Sequence, residues 1–183
     1  RIFCELSAPQ SLSLGAEVSA EDLAAAVSLT PADVETAVHP PRVLSVGLPF
    51  LVAELASREA LARARAAPAA LEAFAARGVS PDVHLYCRSR DAFDVRARMF
   101  APLDGVPEDP ATGSANAALA ASLAALDPKT DGLLCWRIAQ GVEMGRPSLL
   151  EARVEKRSGE VIAVKIGGTS VLVAQGEIDV PGD

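Results

Sequence analysis

The segment Phe100 to Asn116, FAPLDGVPEDPATGSAN, gathers the residues of this chain best suited to chemistry. A Pro/Gly loop carries the adjacent carboxylates Glu108 and Asp109, and the small-residue turn Thr112-Gly113-Ser114 opens a helix expected over about residues 114–126. The first turn of a helix presents backbone N–H groups without intrahelical acceptors, together with the positive end of the helix dipole. It therefore suits a carboxylate or a developing oxyanion. Gly113 has no side chain to block approach, the Ser114 hydroxyl adds a donor, and Asp109 is spaced to meet a substrate amine, hydroxyl or proton. The plainer reading of Asp, Thr or Ser in this place is a helix cap. Against it stands the helix itself, SANAALAASLAAL, which is small and apolar on almost every side, the pattern of a helix buried all round. A carboxylate beside a buried helix start is where shifted acid/base behaviour is expected.

Other residues with chemical potential read more plainly. Glu108 could pair with Asp109, but neighbours in a loop point apart, so Glu108 is expected to face solvent. Cys135 in LLCWRIAQG reads as a strand core residue rather than a nucleophile, with no histidine near it in sequence. His84 reads as a surface or partly buried strand residue. In QGVEMGRPS, Gly141 and Gly145 permit tight backbone, and Arg146 either meets an anion or simply holds the turn.

The elements that must position these groups follow from periodicity and punctuation. Arg1 to Leu6 alternates as a strand. Ser19 caps a helix over about residues 20–29, and Thr30 with Pro31 and Asp33 predicts a second short helix to about Ala37. Val43 to Glu54 reads as extended, with Pro49 at a bulge or edge. Ser57 and Pro68 open two further helices, the second ended by Gly78. Strands follow around Val83 to Cys87 and Phe93 to Met99. Beyond the buried helix, four more are expected at 134–140, 149–157, 161–166 and 171–174, with turns at Ser158-Gly159 and Gly167-Gly168.

Composition narrows the function classes. The chain has 183 residues, 50% apolar and 22% charged, a globular balance long enough for a full core. Its formal charge of −7, without a long basic cluster, argues against nucleic acid and anionic membranes as partners. No run approaches the about 18 apolar residues of a membrane span. The 3 cysteines, without a CxxC pair and with only 2 histidines to join them, support neither a disulfide framework nor a zinc site, and a reducing, cytoplasmic setting is expected.

Three ordered blocks, RMFAPLDGVPEDPATGSANAALAASL, VGLPFLVAEL and IAQGVEMGRPS, resemble the signature of the PhzF (phenazine biosynthesis-like) isomerases. The resemblance implies an α+β, diaminopimelate-epimerase-like fold: a curved sheet or barrel wrapped around a central helix, in two similar domains with the active site between them. Residues 1–20 would then end a first domain, residues 21–175 form the second, and residues 176–183 return toward the first. Carried over by position, Asp109 matches the family's catalytic aspartate, which hydrogen-bonds polar substituents of the substrate. Gly113 and Ser114, with Thr112 beside them, match the residues that hold its carboxylate. The implied chemistry is proton relocation on a small cyclic carboxylated substrate, without metal or organic cofactor, in a homodimer. The family's principal acid/base glutamate and its Gly-His pair belong to the first domain. No such block stands in this chain, where His39 lies in VHPP, so the chain alone is expected to be inactive. Two alternatives are a non-catalytic carboxylate-binding or assembly domain, and an amino-acid epimerase or racemase, which would require a thiol near Ser114.

Overall fold

A run such as Pro49–Leu55, PFLVAEL, has almost no polar side, so a strand made of it needs cover on both faces. The computed structural model, which describes residues 2–178, supplies that cover. In chain order the elements are β1 (Ile2–Ser7), β2 (Ser13–Glu17), α1 (Ala20–Ala26), β3 (Val34–Glu35), β4 (Arg42–Ser45), β5 (Pro49–Leu55), α2 (Arg58–Arg63), α3 (Pro68–Ala76), β6 (Val83–Arg88), β7 (Val95–Ala101), β8 (Val106–Asp109), α4 (Gly113–Leu126), β9 (Gly132–Gln140), β10 (Ser148–Arg157) and β11 (Glu160–Ser170). The strands form one mixed sheet in the order β1-β11-β10-β9-β7-β6-β5-β4-β2, with β3 added to β5 and β8 to β7.

The sheet curls around α4, which packs on β4, β5, β9, β10 and β11. Every residue of α4 from Ala115 to Ala124 is buried, as its all-round apolar sequence requires. Phe50 and Val52 face this inner core, whereas Leu51, Ala53 and Leu55 pack with α1, α2 and α3 on the other face. The C-terminal end of α4 meets a cation: Lys156 Nζ donates to Ala124 O and Asp127 O, each at 2.8 Å, and complements the negative end of the dipole.

Local signals held where they closed on themselves. Ser19 Oγ accepts from Asp22 N and Ser57 Oγ from Ala60 N, so both predicted caps are formed. Ser158 and Gly159, with φ of 52° and 86°, make the two-residue turn joining β10 to β11. The second short helix is different: Thr30 and Asp33 do cap a single 3-10 turn, Pro31–Asp33. Val34–Glu35 is then drawn into the sheet by pairing with β5. The expected turn at Gly167-Gly168 is instead the interior of β11, and there is no separate strand at 171–174. The two glycines sit between β1 and β10, where a Cβ would lie 2.7 Å from Cys4 O at Gly167 and 3.0 Å from Leu149 O at Gly168.

Residues 2–17 of the opening segment contribute β1 and β2, which lie at opposite edges of this same sheet. Of the tail at 176–183, residues from 179 onward lie outside the described residues. No helix among the described residues is long and apolar enough to cross a membrane.

Candidate active site

Because β8 is a strand, its two carboxylates face opposite ways. Glu108 is not in solvent as the sequence suggested. It accepts from Arg98 Nε and Nη2, both at 2.8 Å, in a bidentate pair in which the side chains are 14% and 3% exposed. Arg98 also donates to Leu61 O and Ala64 O, both at 2.9 Å, at the end of α2. The pair is a structural clamp, and it leaves Asp109 as the acid facing the start of α4.

Three residues, Pro110-Ala111-Thr112, carry the chain from β8 into α4, and the turn after β9 braces them. Gly141 (φ 76°) lies so close that a Cβ there would be 2.8 Å from Pro110 O and 2.3 Å from Arg146 O. That contact explains the glycine in QGVEMGRPS. Arg146 itself is exposed.

Thr112 Oγ1 donates to Asp109 Oδ2 at 2.6 Å, and Thr112 N donates to Gln140 Oε1 at 3.3 Å. Thr112, expected from the resemblance to bind substrate, is buried with both donors committed inside the protein, so it has none left for a ligand. Gln140 Nε2 donates to Asp109 O at 2.7 Å and to Thr112 Oγ1 at 2.9 Å. Asn116 Nδ2 donates to Gln140 Oε1 at 2.6 Å and to Thr112 O at 2.8 Å.

His84 lies behind this network, fully buried with Nε2 3.2 Å from Asn116 Oδ1, which corrects its reading as a surface or partly buried residue. Strand alternation could not reveal this, because β6 is covered on both faces. Burial pulls the imidazole down from its ordinary 6.5 to about 4, while the Asn116 bond opposes that shift. Cys135 is in a strand as expected, but it points outward and is exposed rather than buried in the core.

The N–H groups of Gly113, Ser114 and Ala115 open the helix, where intrahelical acceptors are lacking. Beside them lies a cleft of about 640 Å³ whose walls include Ala111, Gly113, Ser148, Ile166, Gly168 and Thr169. The arrangement can hold an anionic group on backbone donors next to a fixed carboxylate. Among the described residues, no group of 3 or more His, Cys, Asp or Glu side chains gathers in a way that could hold a metal ion.

The phenazine biosynthesis-like (PhzC-PhzF) family model matches residues 1–176. The chain belongs to this family. Among similar proteins, an uncharacterized isomerase of Mesorhizobium japonicum is 36% identical over 179 residues, 93% of this chain and 57% of that protein. A trans-2,3-dihydro-3-hydroxyanthranilate isomerase of Pseudomonas chlororaphis is 46% identical over 83 residues, 45% of this chain and 30% of that protein. A predicted epimerase of Pseudomonas aeruginosa superposes with a TM-score of 0.71 at 31% identity, over 98% of this chain and 59% of that one. A Bacillus anthracis PhzF-family protein gives a TM-score of 0.78 at 21% identity, over 97% and 61% of the two chains, a likeness of fold. The expected α+β curled sheet around a central helix is therefore the family's fold. The chain spans 57% of the length of the Mesorhizobium relative.

Asn116 and Gln140 were missed in the sequence, although a signal was present. Each is the lone amide in a mostly apolar stretch, SANAALAASL and CWRIAQG, and a buried amide calls for partners.

Proposed function

We propose that the protein is an isomerase that moves a proton on a small cyclic carboxylated substrate, with Asp109 as the catalytic carboxylate of this half of the site and no metal or organic cofactor. The observation that carries this reading is the Asp109 carboxylate, tied by Thr112 to the open first turn of α4 beside the cleft. The substrate carboxylate would sit on the N–H groups of Gly113 and Ser114. As a base removes the proton from a carbon conjugated to that carboxylate, the C–H electron pair moves into the conjugated system. The helix start stabilises the negative charge that grows there. A proton that has exchanged with solvent on the acid/base group, returned at a different carbon, completes the isomerisation without net oxidation. Asp109 meets the substrate's amine or hydroxyl and takes part in the proton transfer. A second acid/base carboxylate would come from outside these residues, in keeping with the share of its relatives that this chain spans.

The names of the Pseudomonas relatives suggest trans-2,3-dihydro-3-hydroxyanthranilate as the first probe. With the protein expressed from its full reading frame, this probe should be isomerised and should take up solvent deuterium. Asp109→Asn should abolish both while leaving the fold intact, and unchanged turnover in that variant would remove Asp109 from the mechanism.

A further inference from the structure

Resting on the reading of Asp109 as the group that acts on substrate, we propose that His84, Asn116, Gln140 and Thr112 are positioning residues. They form a hydrogen-bonded chain of fixed direction that holds the Asp109 carboxylate in one orientation.

The direction follows from counting protons. The Asn116 amide nitrogen faces two acceptors, Thr112 O and Gln140 Oε1, so its oxygen must face His84. Asn116 Oδ1 can only accept, so the proton of the neutral imidazole is on Nε2. His84 Nδ1 is then the bare nitrogen, and it is the ring atom found buried without a partner among the described residues. Gln140 Oε1 accepts from Asn116, so its amide nitrogen points at Asp109 O and Thr112 Oγ1. Thr112 Oγ1 accepts that bond, which frees its own proton for Asp109 Oδ2. Flipping Asn116 sets its oxygen against two acceptors, Thr112 O and Gln140 Oε1, and flipping Gln140 sets its nitrogen against two donors, Asn116 Nδ2 and Thr112 N, so the chain runs one way.

Three of its members, His84, Asn116 and Gln140, have 0% exposure, so water cannot take over a broken link. Both ends of Asp109 are held, the backbone carbonyl by Gln140 and one carboxylate oxygen by Thr112. Among the described residues the second oxygen, Oδ1, has no such partner and is left for a ligand. An acid/base group gains rate from being fixed before substrate arrives, which is what such a chain supplies.

Nuclear magnetic resonance of the complete protein tests the chain without any substrate. Long-range nitrogen–proton spectra should show His84 protonated on Nε2. Hα–Hβ couplings should show a single χ1 rotamer for Asp109. Thr112→Val, which keeps the shape and removes the hydroxyl, should average those couplings, and Thr112→Ser should restore them. Asn116→Asp, which turns a donor into an acceptor facing two acceptors, should average them as well. With the probe above, Thr112→Val should lower kcat by about tenfold or more with KM changed less than about threefold, and Thr112→Ser should recover kcat.

A proton on Nδ1 of His84 overturns the proposal, as does a single unchanged Asp109 rotamer in a folded Thr112→Val protein. If these signatures hold while the wild-type protein leaves the probe untouched, the assigned reaction fails and the chain stands.

Discussion

Acidification should weaken this protein through His84 in a way that can be calculated. The unfolded chain binds a proton at the ordinary 6.5, whereas the buried imidazole accepts one only at about 4. Below pH 6.5 the unfolded state therefore holds more protons than the folded state, and stability falls as pH falls. The slope approaches about 1.4 kcal/mol per pH unit and levels off below the folded value. From pH 7 to pH 5 the loss from this one group is about 2 kcal/mol. His84→Gln retains an amide donor for Asn116 but does not titrate. Urea unfolding of both proteins at pH 7, 6 and 5 should give wild type an extra loss of about 2 kcal/mol over the variant, with the carboxylate contributions common to both. Equal pH dependence in the two proteins would mean that His84 titrates in the fold as it does in the unfolded chain, and the reasoning from its burial would be refuted.

Two further outcomes concern the frame of the site. Lys156→Met should cost about 2 kcal/mol in chemical denaturation, because Ala124 O and Asp127 O at the end of α4 lose their donor. A change within experimental error would show that water replaces the ammonium. Glu108→Gln should cost about 3 kcal/mol, because the Arg98 guanidinium stays buried without its counter-charge. The double variant Arg98→Met/Glu108→Gln should recover part of that loss, and a double variant no better than the single one would point to lost packing rather than lost charge.

What the sequence made legible was local and self-closing. The uniformly apolar SANAALAASLAAL announced a central helix, Ser19 and Ser57 announced their caps, and Ser158-Gly159 announced its hairpin. What was hidden depended on partners distant in sequence. Pro31–Asp33 has the capping residues of a helix, yet Val34 and Glu35 gain more from β5 than from another helical turn. Gly167 and Gly168 look like a turn because glycine permits one, whereas here they admit the close backbones of β1 and β10. The same limit governed the site. That Asp109, Gly113 and Ser114 lie together at the start of α4 could be read from spacing, but the clamp on Glu108 required Arg98 and the end of α2. The committed hydroxyl of Thr112 required Gln140 from β9.

The claim at the centre of this account is that Asp109 takes part in moving a proton on a carboxylate held at the start of α4. The most direct measurement is solvent deuterium uptake, by mass spectrometry, into the cyclic carboxylate probe incubated in heavy water with the complete protein and with its Asp109→Asn variant. The account predicts deuterium incorporated during turnover by wild type, and none by a folded variant that still binds the probe. Exchange at the wild-type rate in the variant would contradict it.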